Sequence, residues 1–71
     1  MKKSIMIKSE YIKLGQFLKY NNIVQSGAEA KNYLDENNVL INGEQENRRG
    51  RKLYPGTEVK TKDGIFIIGK K

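Results

Sequence analysis

The chain has no cysteine and no histidine. Their absence excludes disulfide frameworks, zinc clusters of the usual kind and nucleophilic Cys/His pairs, and most familiar enzyme constellations go with them. Proline occurs once, at Pro55, and no internal repeat, low-complexity segment or linker composition is visible. Long apolar runs are missing too. The longest late one, Ile65–Ile68, is far below the roughly 18 residues needed to span a bilayer. At the start, "MKKSIMIKSE" has only Ile5 to Ile7 before Lys8 and Glu10 intervene, too short for a signal-peptide core. A soluble, cytoplasmic protein is expected.

What is present is a short basic chain of 71 residues with a formal charge of +6. At this length folding buries only about 60% of the unfolded chain's surface, so residues 1–71 are expected to form one domain around one small core. A binding module is the first expectation. The charge is concentrated: Arg48, Arg49, Arg51 and Lys52 supply +4 of it within five positions, interrupted by Gly50. A local patch of this kind points to nucleic acid or an anionic surface.

Residues 4–7 can form a short edge strand. "LGQFLKY" sets Leu14, Phe17 and Leu18 at helical spacing, with an end near Asn21-Asn22. "SGAE" predicts a capping box, Ser26 accepting from the Glu29 N–H and Glu29 reaching back to the serine's own N–H. Ala30, Tyr33 and Leu34 follow on one side of that helix, and Asn37-Asn38 can end it through a left-handed backbone. The period then changes. Val39 and Ile41 alternate before Asn42-Gly43, and Asp63-Gly64 separates Thr57–Lys62 from Ile65–Ile68, so two hairpins are expected. The fold class is α+β, two helices followed by a small antiparallel sheet. The expected core is Leu14, Phe17, Leu18, Val24, Ala30, Leu34, Val39, Ile41, Leu53, Val59 and Ile67.

Between the hairpins runs "ENRRGRKLYPG", about ten residues of loop. Adjacent cations lose their repulsion when phosphates approach, and the arginine fork holds two phosphate oxygens at once. Gly50 admits unusual backbone angles and the close approach of a strand of RNA. By itself such a run is equally open to reading as a solvated loop, and a localisation signal is a further reading. Lys31 lies one turn after Gly27, on a flank where free N–H groups favour an anion, though an isolated lysine is ordinary surface. Lys13 and Lys19 flank the first helix. Tyr20 and Tyr54 can stack on bases or pack on the core. Glu29, Asp35 and Glu36 show no pairing that suggests acid–base catalysis or a metal cage.

Taken together, "LGQFLK", "QSG.EAK", "VLING" and "NRRGRKL.PG", within Ile12 to Val59, resemble an S4-type RNA-binding domain. More narrowly they are similar to the small stand-alone bacterial members known as YaaA-like or YbcJ-like proteins. The resemblance covers about two thirds of the chain. It implies the S4-like, alpha-L arrangement and an RNA-binding surface carrying Lys13, Ser26, Lys31, Asn42, Arg48, Arg49, Arg51 and Lys52. Two positions depart from it. Gly15 stands where many S4 domains have an acidic residue, and Gly27 where many have an arginine after the capping serine.

Larger relatives join this module to catalytic domains. Here the resemblance implies binding without catalysis, to ribosomal RNA or a ribosomal particle, in ribosome assembly or function. No cofactor, metal, membrane or small-molecule partner is expected, and a monomer is. The rival readings are an adaptor docking on a ribosomal protein or other acidic partner, and a small DNA-binding protein.

Overall fold

Apolar residues three and four apart wind into helices where the sequence predicts them, and alternating ones extend into strands. The computed structural model describes residues 2–71. In chain order the elements are β1 (Lys2–Ile7), β2 (Ile12–Lys13), α1 (Leu14–Tyr20), α2 (Gly27–Glu36), β3 (Leu40–Ile41), β4 (Glu44–Gln45), β5 (Lys52–Leu53), β6 (Glu58–Thr61) and β7 (Gly64–Lys70).

The chain is α+β, but the helices do not come first and the sheet is mixed. β1 precedes both helices and forms one edge of a five-stranded sheet of order β1-β7-β6-β3-β4. It runs parallel to β7, from Lys2 opposite Ile65 to Ile7 opposite Lys70, while the other pairings in that sheet are antiparallel. The physical reason is the connection. β7 already takes β6 on one side through a tight hairpin, and its free side accepts a strand from the far end of the sequence, which no turn constrains to run antiparallel. A second, two-stranded ribbon pairs β2 with β5, Ile12 opposite Leu53 and Lys13 opposite Lys52. No hydrophobic alternation announces strands of two residues.

The caps follow their chemistry with small shifts. Ser26 Oγ accepts from the Glu29 N–H at 3.2 Å, but the Glu29 carboxylate accepts from the N–H of Gln25, at 2.9 Å, rather than from that of Ser26. Asn37 ends α2 in an extended conformation, φ −127°, its N–H and its side-chain amide both donating to the Tyr33 carbonyl. The left-handed asparagine expected there occurs instead after α1, at Asn22, with φ 59°. Asn42 and Gly43, with φ of 51° and 87°, make the tight turn from β3 to β4. That mirror-image geometry is what Asn-Gly accommodates.

In the last hairpin Thr61 pairs with Gly64, so the loop is Lys62-Asp63, one residue earlier than expected. Phe66 stands opposite the buried Val59, so Phe66 and Ile68 share the core face, and Ile67, expected in the core, lies opposite Glu58 and is half-buried. Ile7 joins them through β1, and the other ten expected core residues are buried. At the centre Phe17 and Phe66 meet edge to face, ring centroids 5.2 Å apart.

Truncating Phe17 to alanine removes a fully buried ring and its aromatic partner. It should cost about 3–5 kcal/mol, against roughly 5–15 kcal/mol for a whole domain. Urea unfolding followed by far-UV circular dichroism measures the loss.

Candidate nucleic-acid interface

Four cations in five positions need a reason not to fly apart, and the loop holds it internally. Glu46 begins the loop with its N–H donating to the Val39 carbonyl at 2.9 Å, an extension of the β3–β4 hairpin that buries the residue to 6% exposure. Arg48 donates from Nε and Nη2 to the two carboxylate oxygens, at 3.0 and 3.1 Å, and from its backbone N–H at 3.1 Å. Arg51 adds Nη1 at 2.8 Å. A carboxylate so enclosed is held as the anion: the Arg48 guanidinium above all, with Arg51 and the Arg48 amide, overcomes burial and lowers the Glu46 pKa from 4.5 to about 2. The loop is thus a folded turn and not a solvated tether.

Its backbone has a second task. Leu14 and Gly15 at the start of α1 donate their N–H groups to the carbonyls of Arg51 and Arg49, both at 2.8 Å. Lysine cannot cap a helix by accepting, so Lys13 leaves these amides open, and the basic loop closes them. Gln16 takes the Lys13 N–H at 3.1 Å. The crossing is close. A Cβ on Gly15 would lie 3.1 Å from the Arg49 Cβ and 3.3 Å from its carbonyl oxygen. Any side chain at Gly15 would press on this loop, which would have to give by a few tenths of an ångström.

Arg49 reaches across to α2 and donates from Nη1 to the Gly27 carbonyl at 2.9 Å. A Cβ on Gly27 would stand 2.9 Å from that same nitrogen. The absence of a side chain at 27 therefore admits a guanidinium from another element to the N-terminal turn of α2. Lys13, Gly15, Gln16, Lys19, Gly27, Arg49 and Gly50 line one groove there. Arg48, Gly50, Arg51, Lys52 and Tyr54 line a neighbouring hollow.

These two depressions gather Lys13, Arg48, Arg49, Arg51 and Lys52, five of the eight residues expected at an interface. Lys31 is exposed on α2, one turn after Gly27, and lines neither depression. Ser26 is occupied as a helix cap, and Asn42 Oδ1 accepts from the Glu58 N–H at 2.9 Å. Gly50 has no left-handed backbone; the positive-φ glycines are Gly43, Gly56 and Gly64. The sequence reading missed Glu46, whose signal is an acid two and five residues ahead of arginines. It also left Lys19 as plain surface. Among the described residues no group of three or more His, Cys, Asp or Glu could hold a metal ion, and no helix is long and apolar enough to cross a membrane.

The S4 domain family model matches residues 5–68, which takes in both helices, the ribbon and the loop. The chain belongs to the S4 domain family. It is also similar to the "Probable ribosome maturation protein RlbA" of Bacillus subtilis (strain 168), 54% identical over 59 residues, with 83% of each chain covered. No solved structure matches. At Gly27, which bears no side chain, the loop delivers the Arg49 guanidinium to the start of α2.

Two outcomes follow. Because the Glu46 pKa is depressed in the folded state, its contribution to stability is complete above pH 4.5 and is lost as pH falls toward about 2. Thermal melts of the wild type should show that decline across this window, and Glu46→Gln, less stable at neutral pH, should lack this component of it. Gly15→Val pushes against backbone and should cost about 1–3 kcal/mol. Gly27→Ala displaces only the flexible end of Arg49 and should leave the urea midpoint nearly unchanged.

Proposed function

We propose that this S4 domain binds folded RNA without catalysing a reaction on it, and that the RNA is ribosomal, met during maturation of a ribosomal particle in the cytoplasm. The observation that carries the reading is the Arg49 guanidinium at the first turn of α2, flanked in one groove by Lys13 and Lys19. Cations held in place by a glycine contact and a helix end lose little freedom when a phosphate arrives, and the nearby amide dipoles add to the attraction. Membership of the S4 family and the ribosome-maturation name of the Bacillus subtilis relative support RNA as the partner.

In this reading Lys13, Arg49 and Lys52 contact phosphates directly. Arg48 and Arg51 share Glu46 and offer their remaining N–H groups; Arg48, 73% exposed along its side chain, is the more exposed of the two. Lys31 contacts RNA that continues past α2. Ser26 and Asn42 act by fixing the helix start and the hairpin turn. The protein works as a monomer and reads shape and phosphate positions, since double-helical RNA offers side chains little base information.

Four or five phosphate contacts give a plot of log affinity against log salt with a slope of about −3 to −4. Arg49→Ala leaves the Glu46 cluster intact and should weaken binding to ribosomal RNA while reducing the slope by about 0.7–0.9. Filter binding at several salt concentrations reads both. A variant with unchanged affinity and slope removes Arg49 from the interface, and wild-type binding as tight to duplex DNA as to RNA would point to the wrong nucleic acid.

A further inference from the structure

The ribbon of β2 and β5 places four side chains on one face. Strands alternate their faces, so Ile12 and Leu53, paired across the ribbon, turn one way: Leu53 is fully buried and Ile12 packs against the core. Lys13 and Lys52, paired next to them, turn the other way, and Tyr11 and Tyr54, the residues beyond, turn with the lysines. The tyrosine rings lie 5.8 Å apart, tilted by 53°, and Lys52 Nζ stands 4.9 Å from the centre of the Tyr11 ring.

Contacts within the fold account for the pairing of the two rings and for Lys52 over Tyr11, but not for every feature of this face. Like charges directly opposite on paired strands repel, yet Lys13 faces Lys52. Tyr54 is 50% exposed and borders the hollow formed by Arg48, Gly50, Arg51 and Lys52. Tyr11 lines a further hollow with Tyr20, which is 61% exposed, and Lys19. By contrast Tyr33 is tied by its hydroxyl, which donates to Asp63 at 3.1 Å. The ribbon interleaves the exposed Tyr54 and the half-buried Tyr11 with cations, a pattern that suits a nucleotide, with the phosphate between the lysines and the base on the Tyr54 ring.

We infer that the Tyr11–Tyr54 face of the ribbon is a stacking site for an unpaired nucleotide, so that the RNA recognised carries an extruded base beside its helical part. This rests on the RNA-binding reading above and adds a requirement to it. A base inside a duplex is stacked on both faces and has none to offer a tyrosine, whereas a bulged one does. Stacking on an aromatic side chain tolerates any base, so the site selects an unpaired position and not a sequence.

The test compares two RNA stems of equal length, one fully paired and one with a single unpaired 2-aminopurine, by anisotropy and by 2-aminopurine fluorescence. The wild type should bind the bulged stem about tenfold more tightly than the paired one and change the probe's emission. Tyr54→Phe keeps the ring and should keep the preference. Tyr54→Leu, at an exposed position, should lose most of it, and the double variant with Tyr11→Leu the rest, while affinity for the paired stem stays. Equal wild-type affinity for both stems, or a preference that survives the double variant, overturns the stacking site and leaves phosphate binding standing. Failure to bind either stem in low salt overturns both readings. Circular dichroism of each variant separates loss of the site from loss of the fold.

Discussion

The Glu46 carboxylate organises the basic loop. Burying an anion is costly unless it is paired and hydrogen-bonded, and here four N–H groups from Arg48 and Arg51 surround it. Those bonds bend the loop so that the carbonyls of Arg49 and Arg51 face the first amides of α1. The same bend carries Arg49 over Gly15 to Gly27 and aligns Lys52 with Lys13. One internal ion cluster thus sets the start of a helix, the ribbon and the orientation of the remaining cations.

This changes the electrostatic meaning of the run of basic residues. With Glu46 counted, the segment from Glu46 to Lys52 carries +3, and the repulsion among its arginines is offset before any ligand comes. Preorganisation is the functional consequence. A mobile basic loop loses side-chain and backbone freedom when it grips a phosphate, whereas a folded one has lost most of it already on folding. Two glycines belong to this arrangement: Gly15 gives the loop its close crossing and Gly27 gives Arg49 its seat.

Much of the fold was legible because its signals are local. Leu14, Phe17 and Leu18 at helical spacing, Ser26 before Glu29, and Asn42-Gly43 between alternating residues each act within a few positions, and the structure has a helix, a capped helix and a turn there. Legibility failed where a partner lies far away in sequence. The parallel pairing of β1 with β7 and the ribbon of β2 with β5 join segments that no local pattern connects. In the run Ile65–Ile68, where every residue is apolar, no alternation marks the inner face, and only pairing with β6 puts Phe66 and Ile68 in the core and leaves Ile67 half-buried.

The sequence by itself determined the two helices, the Ser26 cap, the Asn-Gly turn and the concentration of positive charge between Arg48 and Lys52, because propensity, capping and net charge depend on residue type and near neighbours. Only the tertiary structure decided which of those cations are free and where they point. Glu46 binds two of the arginines, Gly27 receives the third, and the ribbon gathers Lys13, Lys52, Tyr11 and Tyr54 on one face. Those outcomes follow from distance in space, which the order of residues along the chain does not record.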